Sequence, residues 1–173
     1  VHLAARQSDE AARYFQAALD TIEKTRSDQI RTDYMLTFLT RLIAMYQDYV
    51  SVLVAEGRVD RALEVADSSR GRVLAQRHNA TAPATATSSR FRAIAKDANA
   101  VLLSYWLTPT VSYLWIVTGE SVRLVDLPPA KEIETLVREH QQTIENALAN
   151  PIAARGTAGD RLFQLLVAPA VSS

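Results

Sequence analysis

The sequence predicts an α+β chain in which antiparallel helical hairpins are followed by a three-stranded β-meander with flanking helices. Three observations carry this expectation. Residues 1–78 contain no proline and only Gly57 and Gly71, and their apolar residues recur at helical spacing. Asn79 to Ser89, NATAPATATSS, has no apolar periodicity and reads as a linker. Beyond Arg90 come three runs rich in β-branched and aromatic residues, separated by turn residues. The expected organisation is therefore a helical unit over 1–78, a linker over 79–89 and a mixed unit over 90–173.

Ser8 is placed to cap the first helix, with Asp9 and Glu10 at the positive end of its dipole. Ala11, Phe15, Ala18, Leu19 and Ile22 then share one helical face. After a polar interruption over Asp28 to Asp33, a long helix carries Met35, Phe38, Leu39, Leu42, Tyr46, Tyr49, Val50 and Leu53 on one face. Gly57 is placed to end it in a left-handed conformation. A further helix carries Val59, Ala62, Leu63, Ala66, Val73 and Leu74. These helices echo one another: Ala11, Phe15 and Ala18 match Ala62, Ala66 and Ser69 at an offset of 51. Stacked hairpins of this kind make a solenoid. Mapping the repeat from Ala62 puts Ala44, Gln47, Ser51 and Ala55 toward its groove, as candidate residues for binding a protein or peptide partner.

In the second half, Val101 to Leu107, Val111 to Val117 and Val122 to Leu127 are the expected strands, with turns at Thr108-Pro109-Thr110 and Thr118-Gly119-Glu120. Along the third, Val122, Leu124 and Asp126 fall on one side and Arg123, Val125 and Leu127 on the other. Pro128-Pro129 stops the sheet, and Pro129 suits the first position of a helix whose apolar residues are Ile133, Leu136, Val137, Ile144 and Leu148. Residues 150–159 read as loop, and Asp160 is expected to cap a last apolar segment, LFQLLV.

Composition narrows the functional classes. The 19 Lys and Arg balance 19 Asp and Glu, which argues against a broad nucleic-acid or membrane-surface footprint. No run of 18 apolar residues exists, so no transmembrane helix is expected. The absence of cysteine excludes disulfides, thiolate metal sites and a Cys nucleophile on this chain. Of the histidines, His2 falls in VHLAARQ, which reads as the tail of a helix preceding Ser8, His78 at a helix end and His140 on the amphipathic helix, so no metal site is assigned. Glu134 and Arg138 read as an exposed i, i+4 ion pair rather than part of an acid cluster. Ser68-Ser69-Arg70-Gly71-Arg72 lacks the spacing and the Lys of a phosphate-binding loop and falls inside a helix, where Gly71 suggests close packing. Tyr105, Trp106, Tyr113 and Trp115 lack an interleaved basic strip and read as sheet core rather than a base-stacking platform. No cofactor is expected.

Tyr46 to Arg77 contains Gly57-Arg58, Ala62-Leu63, Asp67, Ser69-Arg70-Gly71-Arg72 and Leu74 in that order. It resembles the last tetratricopeptide hairpin of proteins in which such repeats precede a CHAT domain. LLSYWLTPTVSYLWIVTGESVRLVDLPPAKEIETLVREH, and then GDRLFQLLVAP, resemble the opening of that domain. The resemblance implies repeats that recruit a protein partner, and a caspase- and separase-like cysteine endopeptidase with a His–Cys dyad. It further implies a bacterial, cytoplasmic parent. Neither dyad motif is present in these residues, so the expectation is a non-catalytic piece of a longer protein. The alternative is a non-catalytic helical-repeat scaffold or adaptor.

Overall fold

The computed structural model describes residues 32–77, 86–149 and 156–171, together with Glu10, Arg13, Tyr14, Ala17 and Thr21, all five of them helical. The fold is α+β, with helices flanking a three-stranded antiparallel sheet. It divides into two compact units, residues 1–91 and 92–173.

In the first unit, helix α1 (Thr32–Ala55) and helix α2 (Val59–Arg77) form a hairpin. The turn is a Schellman motif. Gly57 N–H donates to the Val54 carbonyl and Arg58 N–H to the Leu53 carbonyl, each at 2.9 Å. Gly57 adopts φ +72°, which side-chain-bearing residues rarely take. Arg58 then offers its carbonyl to Ala62 N–H, so one helix begins two residues after the other is closed. Leu42, Tyr46, Tyr49, Val50 and Leu53 of α1 are buried, as are Ala62, Leu63, Val65 and Ala66 of α2. Each large apolar side chain removed from water here contributes about 1.5–3 kcal/mol. The small residues at 62 and 66 bring the helix axes close. Most of the first helix expected from the sequence, including Ala11, Phe15 and Ala18 of the internal echo, lies outside the described residues.

Helix α3 (Ser88–Asp97) begins in this unit. It takes in Ser88 and Ser89, so the linker expected over 79–89 ends before Ser88; residues 79–85 lie outside the described residues. Glu64 of α2 anchors its start: one carboxylate oxygen accepts the Ser88 N–H at 2.9 Å, the other the Arg61 guanidinium at 3.0 Å.

In the second unit, α3 ends at another Schellman turn, with Asn99 at φ +47° in the glycine position. Strands β1 (Leu102–Trp106), β2 (Ser112–Val117) and β3 (Val122–Leu127) follow in spatial order β1-β2-β3. Ile116 opposes Leu103 on one side and Arg123 on the other, and Leu114 opposes Tyr105 and Val125. This fixes one sheet face as Leu103, Tyr105, Leu114, Ile116, Val125 and Leu127, and the other as the Tyr113, Trp115 and Val117 face. All six β2 residues are buried.

The first face receives helix α4 (Ala130–Ala149), helix α5 (Ala158–Leu166) and the short α6 (Ala168–Val171). Leu114, Ile116, Leu127 and Ile133 form the core there, with Leu162, Leu166 and Ala170 packed against it. Polar groups lock the same arrangement. The Thr108 carbonyl accepts the Ala130 N–H at 2.9 Å, so the β1–β2 turn caps α4. Tyr105 Oη donates to the Leu166 carbonyl at 2.6 Å, and Arg123 donates to the Pro169 carbonyl. Sheet side chains therefore satisfy carbonyls that the ends of α5 and α6 leave open.

Three local expectations are corrected. Thr157, not Asp160, precedes α5, and its carbonyl accepts the Arg161 N–H at 3.0 Å, which places Asp160 inside the first turn. Pro129 supplies its carbonyl to Glu132 N–H at 2.9 Å and stands one residue before α4 rather than at its first position. Among the described residues Glu134 and Arg138 form no ion pair: Arg138 Nε donates instead to the Glu134 backbone carbonyl at 3.3 Å. An exposed pair gains too little to hold two long side chains in one geometry.

Helices α4 and α5 run antiparallel because residue 156 meets 143 and residue 159 meets 140. A methyl group built on Gly156 would lie 2.6 Å from Thr143 Oγ1 and 3.2 Å from its Cβ; one on Gly159 would lie 2.7 Å from His140 Cε1. Thr143 Cβ is fixed by the helix backbone, and its hydroxyl donates to the Glu139 carbonyl at 2.8 Å. The His140 ring, by contrast, can turn about its own bonds. Gly156→Ala is therefore expected to destabilise the protein by about 1–3 kcal/mol in denaturant unfolding. Gly159→Ala should be close to neutral, since helix propensity returns about 1 kcal/mol. Equal costs for the two would contradict this packing.

Burial raises the Tyr105 phenol above its ordinary value. An acid whose folded pKa is raised adds stability that is complete below the unfolded value, about pH 10, and lost as pH climbs through the folded value. Tyr105→Phe should cost about 1 kcal/mol at neutral pH through the lost hydrogen bond. The gap between wild type and variant should then narrow from about pH 10 upward; a gap constant to pH 11.5 would refute the assignment.

Candidate functional site

The candidate partner-binding residues Ala44, Gln47, Ser51 and Ala55 all fall on α1. At 100° per residue they occupy one face, opposite the buried row of Leu42, Tyr46, Tyr49, Val50 and Leu53. Ala44 and Ala55 are exposed, and Gln47 and Ser51 are half-buried. The row carries no charge. Ser51 Oγ donates to the Gln47 carbonyl at 2.9 Å, so this hydroxyl is turned back onto its own helix. What the face offers is therefore shape and small apolar area, with the Gln47 amide as its polar group. Such a row allows a second helix to approach closely.

Charge on this hairpin sits elsewhere. Burial opposes the charge of Arg61, but its hydrogen bonds to Glu64 and Tyr49 outweigh that cost and raise its pKa. Arg70 is lowered, because desolvation exceeds the attraction of Asp67. Ser68 to Arg72 lie within α2; Ser68 and Ser69 hydroxyls donate to the Val65 and Ala66 carbonyls at 2.9 and 2.7 Å. Both hydroxyls are thus committed to the helix rather than arranged for a phosphate.

Two concavities lie among the described residues of the second unit. A groove of about 650 Å³ runs beside α4 and α5, with Pro128, Leu136 and Leu165 as its apolar part and Lys131, Glu132, Glu139, Asp160 and Arg161 around it. Basic and acidic groups alternate there, which gives the groove no single charge preference. A second hollow of about 630 Å³ lies where the end of α3 meets the Thr118–Ser121 turn. Its turn is self-satisfied: Thr118 Oγ1 accepts the Glu120 and Ser121 N–H groups at 3.2 and 3.0 Å. Neither concavity is legible in the sequence, because each is assembled from elements far apart in the chain.

The other sequence candidates that fall among the described residues lie in or against the packed elements of the second unit. His140 is half-buried beside Gly159; His2 and His78 lie outside the described residues. Trp106, Tyr113 and Trp115 are buried in the sheet, and the Tyr113 and Trp115 rings meet tilted at 54° with centroids 6.1 Å apart. Tyr105 is half-buried and gives its hydroxyl to α5. Among the described residues no cluster of His, Asp and Glu could hold a metal ion, and no helix is long and apolar enough to cross a membrane. Comparison with protein-family models, with curated proteins and with solved structures finds no match to this chain.

Proposed function

We propose that the chain is a non-catalytic scaffold or adaptor that engages a protein partner through its helical hairpin. The observation that carries this is the uncharged row Ala44, Gln47, Ser51 and Ala55, facing away from the α1–α2 core. A partner helix with its own small residues would fit that row, gaining packing area without desolvating a charge.

A second reading rests on the element order. Three antiparallel strands, Leu127-Pro128, a long helix and the GDRLFQLL helix follow one another as the CHAT resemblance implies. On this reading the repeats recruit a substrate or regulator, and a His–Cys dyad borne by residues outside this sequence performs the cleavage. The cytoplasmic location belongs to this reading and rests on the resemblance alone.

Affinity capture followed by titration of the captured partner tests the first reading. Gln47→Arg and Ser51→Arg should each leave the helical signal intact and weaken binding by about tenfold or more, since a charge would be forced against an apolar contact. Binding that survives both substitutions would remove this face from the proposal. Turnover of a peptide library by the purified chain, persisting through repurification, would overturn the non-catalytic reading itself.

A further inference from the structure

One side of α4 is unusually apolar for a surface. Val137, Ile144 and Leu148 are 37%, 47% and 82% exposed. At 100° per residue they form a single row that borders the buried side of the helix, with Ile133 about 40° and Leu136 about 100° round from Val137. From Val137 to Leu148 the row covers three turns, about 17 Å. Gln141 lies within it, and Arg138 and Glu145 lie together along one flank; both are exposed.

The spacing of these residues is self-complementary. If a second copy of α4 runs antiparallel about a two-fold axis between residues 141 and 142, position i faces position 283 − i of the other copy. Arg138 then faces Glu145 of the second copy, and Glu145 faces Arg138. Val137 falls between Ile144 and Leu148 of the second copy, a knob seated against two neighbours one turn apart. In antiparallel helix pairs like flanks meet, so the two charges are brought together on the same side. Among the described residues Arg138 and Glu145 join no ion pair, and Arg138 Nε donates to the Glu134 carbonyl.

We propose that this face of α4 is a self-association surface that pairs two copies of the chain, antiparallel, about an axis beside Gln141. The exposed apolar row supplies the drive, and the paired Arg138 and Glu145 set direction and register. The area is modest, so the dimer is weak and concentration-dependent. This inference is independent of the adaptor reading, because it concerns a different unit of the chain.

The native chain has no cysteine, so an introduced thiol reports without background. Under mild oxidation Gln141→Cys should form a disulfide-linked dimer, because the two copies of residue 141 flank the axis. Glu134→Cys should not, since antiparallel copies of residue 134 stand about 20 Å apart. Sedimentation of the full chain should show reversible dimerisation that Ile144→Asp abolishes. Arg138→Glu and Glu145→Arg should each weaken the dimer about tenfold, and the combined exchange should restore it. A chain that stays monomeric at high concentration, a dimer indifferent to Ile144→Asp, or cross-linking through residue 134 in place of 141 would overturn the proposal.

Discussion

Strand β2 is buried along its whole length, and the second unit is organised around that fact. A central strand with both faces out of water needs a neighbour on each edge and cover on each side. The antiparallel register supplies β1 and β3 through short turns, and Leu114 and Ile116 then dictate what must arrive on one face. Helices α4, α5 and α6 meet that demand with Ile133, Leu162, Leu166 and Ala170. Their positions are sharpened by polar ties from the sheet, namely the Thr108 carbonyl at the start of α4, Tyr105 at Leu166 and Arg123 at Pro169.

The hairpin of the first unit solves a smaller problem by the same means. Small residues at Ala62 and Ala66 let the Tyr46 and Leu53 side of α1 close against α2, and Gly57 makes the reversal tight enough to keep that register. Glu64 then uses its two carboxylate oxygens on two different elements. The hydroxyls of Ser51, Ser68, Ser69 and Thr143 and the Arg138 guanidinium are turned onto backbone carbonyls of their own helices. The two proposed contacts rest on the exposed faces of α1 and α4.

Much of this order is legible in the sequence because the strongest signals are local. The three strands are marked by β-branched and aromatic runs between turn residues, and the left-handed Gly57 by its place after the last apolar residue of α1. Helix α3 is hidden in the sequence, although Phe91, Ile94 and Ala95 carry helical spacing, because the Thr- and Ser-rich stretch before it reads as linker. At α5 the acidic Asp160 has the sequence look of an N-cap but lies within the first turn, behind Thr157. In α4, periodicity alone could not separate Ile133 and Leu136, which are buried, from Val137, Ile144 and Leu148, which are not; that distinction depends on where α5 lands. The two concavities and the Glu64 anchor were out of reach for the same reason, being made by residues distant in sequence.

Native-state hydrogen exchange resolved by residue tests the central constraint most directly. If β2 is the element on which the second unit depends, its amides from Ser112 to Val117 should be the slowest to exchange there, opening only with global unfolding of the unit. Amides of α6 and of the outer strands should exchange faster, through local opening. Protection of β2 no greater than that of α6 would contradict the account, because the strand would then be a passenger on helices that hold together without it.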